Sequence, residues 1–109
     1  MITMVKVDYD PEFDILYISK GEKVVFSINL LDNFILDVNH AHKIVGLEIL
    51  NASKVLKMSK EELENVKKTD VSTLSHGEYY SVHYYVVSPK SRVESEVAVM
   101  HRREAITSL

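Results

Sequence analysis

The chain has no cysteine, three glycines and two prolines in 109 residues, and each scarcity removes a class of protein. Without cysteine there are no disulfides, no Cys-ligated zinc, no iron–sulfur cluster and no thiol chemistry, so nothing calls for an oxidising compartment and a cytoplasmic location is expected. The few glycines leave no glycine-rich phosphate cradle and no nucleophile elbow. With 46% hydrophobic residues the low Gly and Pro content also excludes a low-complexity chain, because enough apolar surface exists to offset chain entropy. Apolar runs are a handful of residues long, against the ~20 that a bilayer-crossing helix needs, and no basic stretch precedes an apolar one at the start; a soluble, unexported protein is expected. A net charge of -3 gives no global attraction to nucleic acid.

What is present is β-rich. From residue 4 to 50, short apolar segments recur between polar turns, predicting five strands at about 4–9, 13–19, 23–30, 34–39 and 43–50 in an antiparallel β-meander. Val5, Val7 and Tyr9 alternate with Lys6 and Asp8, so the first strand has one buried and one wet face. Asp10 and Pro11 form a turn: the carboxylate accepts from the backbone ahead, and Pro11 presets φ. The second strand is apolar on both faces, with Phe13, Ile15 and Tyr17 against Leu16 and Ile18, as in a central strand. Gly46 interrupts the fifth strand, marking a bulge or a close approach of another backbone, with room for a large neighbour over it.

A helical turn is expected at 52–57 and a helix at about 59–68. Ser59 and Glu62 have capping-box spacing, and Met58 and Leu63 are placed for a hydrophobic staple. A C-terminal β-hairpin follows at about 78–101. The loop Ser88-Pro89-Lys90-Ser91 excludes a primed two-residue turn, so Ser88 faces Ser91 and paired numbers sum to 179. This register puts Tyr80, Val82, Tyr84 and Val86 against Val99, Val97, Ser95 and Val93 on one face, with His83 opposite Glu96 on the other. The outward face then carries Tyr79, His83, Tyr85, Val87, Ala98 and Met100, too apolar for open water, which predicts a homodimer through the C-terminal half. The whole is a single α+β domain spanning 1–109.

Tyr9-Asp10-Pro11-Glu12, Asp14, Leu16-Tyr17-Ile18, Ile35-Leu36-Asp37 and Ile44-Val45-Gly46-Leu47-Glu48-Ile49-Leu50 together resemble the small prokaryotic protein family catalogued as DUF 2283, over about residues 4–56. The resemblance implies the β-meander, no assigned reaction, and association as a theme, since some members are encoded beside small toxin-like partners. Asn39-His40-Ala41-His42 departs from the Asp/Gly-rich turn of the family pattern, and the helix and hairpin lie outside it.

Candidate chemistry is sparse. Asp8, Asp10, Glu12 and Asp14 are close in sequence, but strand, turn and strand disperse them, leaving Asp14 as a residue that caps nearby amides. His40 and His42 with Asp37 are the metal candidates, although two histidines do not complete a zinc site. His83 with Glu96, near Ser81 and Ser95, lacks an oxyanion hole and reads as a cross-strand ion pair. Tyr79, Tyr80, Tyr84 and Tyr85 near Lys90, Arg92, Arg102 and Arg103 suggest base stacking, but the register splits the tyrosines and Glu78, Glu94 and Glu96 repel phosphate. No catalytic residue and no cofactor are assigned. The function expected is a non-enzymatic interaction module, a homodimer binding a protein partner; the alternatives are a small-ligand or metal-binding protein and, third, a nucleic-acid binder.

Overall fold

The structure is a computed structural model that describes residues 5–30, 32–75 and 79–100. Five strands, β1 (Lys6–Asp10), β2 (Ile15–Ser19), β3 (Phe26–Leu30), β4 (Phe34–Val38) and β5 (Ile44–Leu50), form one antiparallel sheet. Two short helices, α1 (Ala52–Leu56) and α2 (Lys60–Glu64), lead to β6 (Lys68–Ser75), β7 (Tyr79–Val87) and β8 (Arg92–Met100), which form a second antiparallel sheet. The protein is therefore largely β, and the hairpin does not join the first sheet.

The first sheet has the order β1-β2-β5-β4-β3, not that of a meander. Strands β3, β4 and β5 follow one another by hairpins while β2 lies beside β5, a Greek-key arrangement. Residues 20–25 carry the chain across the ends of β5 and β4. Backbone bonds hold this crossover at both ends: the Lys20 N–H donates to Val45 O (2.9 Å) and the Val25 N–H to Val38 O (2.8 Å). Strand β3 starts at Phe26 rather than the expected 23, because its neighbour β4 ends at Val38, Phe26's partner.

The first hairpin also differs in detail. Asp10 pairs with Ile15, so Phe13 belongs to the four-residue loop and is 66% exposed instead of opening a two-sided strand. Helix α2 is shorter than the expected 59–68. Its end is fixed at Asn65, whose N–H reaches Glu62 O and whose side-chain amide donates to Glu61 O, and by Lys67 the backbone donates to Val87 O in the second sheet. Strand β6 has no counterpart among the expected elements. Register with β7 buries its β-branched Thr69 and Val71, and the Thr69 hydroxyl donates to Tyr85 O (2.7 Å).

The two sheets enclose one core. Leu16, Ile18, Leu36, Leu47 and Ile49 of the first meet Val71, Val82, Tyr84, Val86 and Val97 of the second, with Ala52, Leu56, Met58 and Leu63 from the helices between. Phe34 and Tyr84 pack across the gap with ring centroids 6.0 Å apart. At about 1.5–3 kcal/mol per fully buried large apolar side chain, this shared core is the main cohesive term. The β7–β8 register runs from Tyr79 with Met100 to Val87 with Arg92, as the alternation of valines and charges requires.

Candidate functional site

Polar side chains in this fold are gathered into a few saturated clusters. The first centres on Asp14, held at φ 55 at the end of the β1–β2 loop. Its Oδ1 accepts from the Tyr9 hydroxyl (2.6 Å) and the Ser53 N–H (3.0 Å), and its Oδ2 from the Ser53 hydroxyl (2.6 Å). Its carbonyl accepts the Ala52 N–H at 2.9 Å. Asn51, the formal N-cap of α1, makes no side-chain capping bond, so Asp14 caps the helix from a distant loop. Burial pushes the Asp14 carboxyl up, but the Ser53 and Tyr9 hydrogen bonds outweigh it and hold the group below the ordinary carboxylate value. Tyr9 is pushed well above the ordinary phenol value by burial, then by its bond to Asp14. Asp10 serves the same loop, accepting the N–H groups of Glu12 (2.9 Å) and Phe13 (3.2 Å).

The second cluster lies on the face of the first sheet turned away from the core. Asp37 is buried, accepting from the Tyr17 hydroxyl (2.5 Å) and the Ser27 hydroxyl (2.7 Å). Gly46 pairs with Asp37 across the strands, where the register shifts by a bulge, and a Cβ at Gly46 would lie 3.0 Å from both Asp37 Oδ2 and Tyr17 Oη. Of the expectations for this glycine, the bulge is present and a large neighbour sits over it, but the close atoms belong to side chains and not to another backbone. Tyr17 is raised by burial and by its bond to Asp37.

The β4–β5 turn holds His40 and His42. Asn39 is buried and organises it: Oδ1 accepts from the N–H groups of Ala41 (2.9 Å) and Lys43 (3.1 Å), while Nδ2 donates to Glu22 in the crossover (3.1 Å). His42 takes φ 61 and sets its ring edge-on to Phe26 at 6.2 Å. Both histidines are exposed, and Asp37 has both oxygens engaged elsewhere. Among the described residues no three His, Asp or Glu side chains converge as a metal site would require.

Glu62 joins α2 to the β7–β8 turn. With Ser59 it completes a capping box, and its Oε2 accepts from the hydroxyls of Ser88 (2.9 Å) and Ser91 (2.5 Å). These two bonds lead in holding its carboxyl below the usual range. Met58 and Leu63, the staple pair, are both buried.

On the outward face of the second sheet, Arg92 lies 5.0 Å over the Tyr85 ring and donates to Glu94 (2.9 Å), and His83 Nε2 meets Glu94 Oε2 at 2.8 Å. The His83 pairing is thus diagonal, to Glu94 and not to the directly opposite Glu96, because Glu94 can answer Arg92 and His83 together. Bonds from Arg92 and His83 lower the Glu94 carboxyl. His83, Tyr85 and Val87 are half-buried and Ala98 is exposed on this face. The side chains of Tyr79, Tyr80 and Met100, and residues Glu78, Arg102 and Arg103, lie outside the described ones. Sequence reasoning missed Leu74, 52% exposed in the row Leu74–Ser81–Ala98, because it missed β6.

Small clefts occur among the described residues. One of about 260 Å³ lies between Val7, Asp8 and Tyr9 of β1 and Leu63, Glu64 and Val66, and one of about 160 Å³ lies between α2 and Pro89-Lys90. Both fall below the ~300–1,000 Å³ of ordinary ligand pockets. No helix among the described residues is long and apolar enough to cross a membrane.

The five-stranded sheet and the start of α1 define a recurrent unit. Residues 6–53 match the family described as protein of unknown function (DUF2283). Two curated relatives are similar: a protein of Methanosarcina mazei named putative hypoxanthine phosphoribosyltransferase, 39% identical over 57% of this chain and 50% of its own length, and an uncharacterized protein of Methanocaldococcus jannaschii, 42% identical over 54% and 51%. The chain spans about half the length of the curated relatives it matches. No solved structure matches it.

Proposed function

We propose that the protein is a non-enzymatic, cytoplasmic interaction module that forms a homodimer and binds a protein partner. The observation carrying this reading is the outward face of the β6–β7–β8 sheet, where Leu74 and Ala98 at one end and Tyr85 and Val87 at the other flank the linked His83, Glu94 and Arg92, with Lys68, Asp70 and Glu96 beside them. Apolar side chains on a sheet face that no described element covers favour burial against a second copy, and a nine-residue edge strand, β8, adds backbone capacity for pairing. The polar clusters support a non-catalytic reading: Asp14, Asp37 and Glu62 are engaged with hydroxyls and amides that serve a turn, a strand pair and a helix cap.

Phosphoribosyl transfer, suggested by one relative's name, finds little support here. The phosphate groups of a phosphoribosyl donor want backbone amides free of negative charge, whereas, of the described glycines, Gly46 is roofed by the Asp37 carboxylate and Gly21 stands in an exposed turn. Light scattering of the full chain at micromolar concentration tests the proposal. A mass twice 12.5 kDa, falling to the single-chain mass in Leu74→Asp/Val87→Asp, is expected; a monomeric wild type overturns it.

A further inference from the structure

We propose that the outer face of the five-stranded sheet docks a cationic amphipathic helix of a partner protein. This rests on the interaction-module reading and gives the partner its chemistry. The helices and the second sheet pack on Leu16, Ile18, Leu36, Leu47 and Ile49, so no described element covers the opposite face. Register places Asp8, Tyr17, Glu48, Ile35 and Asn29 in one row across that face, with Asp10, Ile15 and Leu50 in a row beside it.

Three properties of these rows select the occupant. The apolar groups Ile15, Tyr17, Ile35 and Leu50 are half-buried in the free chain, leaving surface that an apolar stripe would cover. Glu48 stands on β5, the central strand, between Tyr17 and Ile35, and among the described residues it makes no hydrogen bond or ion pair; Asp8 is likewise unpaired. A carboxylate in mid-sheet is unfavourable under an apolar cover and favourable under a lysine or arginine, and among the described strand residues of this face the cation is Lys6, paired with Ser19 on the edge beside the Asp8 row. Size fits as well: five strands about 4.8 Å apart span roughly 20 Å, the length of a helix of about 14 residues. A second copy is a poor occupant, because it would set Asp8 and Glu48 against equivalent carboxylates.

The test is titration of the isotope-labelled full chain with an 18-residue amphipathic leucine/lysine peptide (length chosen to exceed the ~14 residues needed), read by amide shifts. A leucine/glutamate peptide of the same pattern and a scrambled leucine/lysine peptide serve as controls. Saturable shifts on Ile15, Tyr17, Ile35, Glu48 and Leu50 with the amphipathic cationic peptide alone support the proposal. Affinity should fall about tenfold or more in Glu48→Lys, with Asp8→Lys on the edge strand giving a second, milder loss should Glu48→Lys impair folding. Shifts on the second sheet's outer face instead, equal response to either control, or unaltered affinity in both variants would overturn it. Shifts on these rows upon dilution without peptide would assign the face to self-association and overturn it too. Light scattering on the same samples reads the dimer independently, so loss of the dimer and loss of peptide binding are separable.

Discussion

Asp14 receives both the N–H and the hydroxyl of Ser53, 39 residues further along the chain, and so caps a helix to which it does not belong. The bond joins the first hairpin to the start of α1, and residues 6–53, the family segment, begin with β1 and end at Ser53 itself. The first loop of this segment is thus tied to its last residue by a side-chain cap, and Tyr9, which donates to the same carboxylate, anchors the strand before the loop.

Removing that cap should cost stability without altering the sheet. Asp14→Ala loses the carboxylate and strains a backbone at positive φ, whereas Asp14→Gly loses the carboxylate only. Urea unfolding should show about 2–3 kcal/mol lost in Asp14→Ala, less in Asp14→Gly, and a positive coupling between Asp14→Gly and Ser53→Ala.

Gly46→Ala should destabilise by about 1–3 kcal/mol, since its Cβ would press on the Asp37 carboxylate and the Tyr17 hydroxyl. In a Tyr17→Phe background the hydroxyl is gone and the added cost of Gly46→Ala should shrink. Equal cost in both backgrounds would remove Tyr17 from the explanation.

Stability should fall at both ends of the pH scale. Asp14 has a folded-state value below its ordinary 3.8, so the unfolded chain binds protons first on acidification; its contribution is complete above pH about 4 and is lost as pH falls through the depressed value. Glu62 and the exposed Glu94 act in the same direction, screened by solvent, and add little. Tyr9, Tyr17 and Tyr84 are raised above the ordinary 10.0, so their contribution is complete below that value and is lost as pH rises beyond it. Thermal melts should give a plateau between, with the acid limb reduced in Asp14→Asn and the alkaline limb reduced in Tyr9→Phe.

Glu62→Ala should cost more than Ser59→Ala, because Glu62 also holds the β7–β8 turn through Ser88 and Ser91. Hydrogen exchange should quicken at Lys90 and Ser91, whose amides the Ser88 hydroxyl orders, in Glu62→Ala alone.

Much of this was legible residue by residue. Asp10-Pro11 announced the turn, Ser59 with Glu62 the capping box, and the alternation of valine with glutamate fixed the β7–β8 register, because a one-residue slip would bury charge. The order of the first sheet was not legible. Alternation tells which face of a strand is buried but not which strand lies beside it, and the deciding contacts, Lys20 to Val45 and Asn39 to Glu22, join residues with no periodic signature. Strand β6 was hidden for a different reason: Thr69, Val71 and Thr73 do alternate, but they are small and two of them are hydroxylated, so the pattern is weak until Val71 meets Tyr84. The pairing of Asp14 with Ser53 was invisible for distance alone.

The central claim, association through the outward face of the second sheet, is tested most directly by isotope-filtered NOE measurements on a mixture of labelled and unlabelled full chains. The account predicts intermolecular contacts at Leu74, Tyr85 and Val87. A spectrum without intermolecular contacts, or with contacts confined to Ile15, Ile35 and Leu50 on the other sheet, would contradict it.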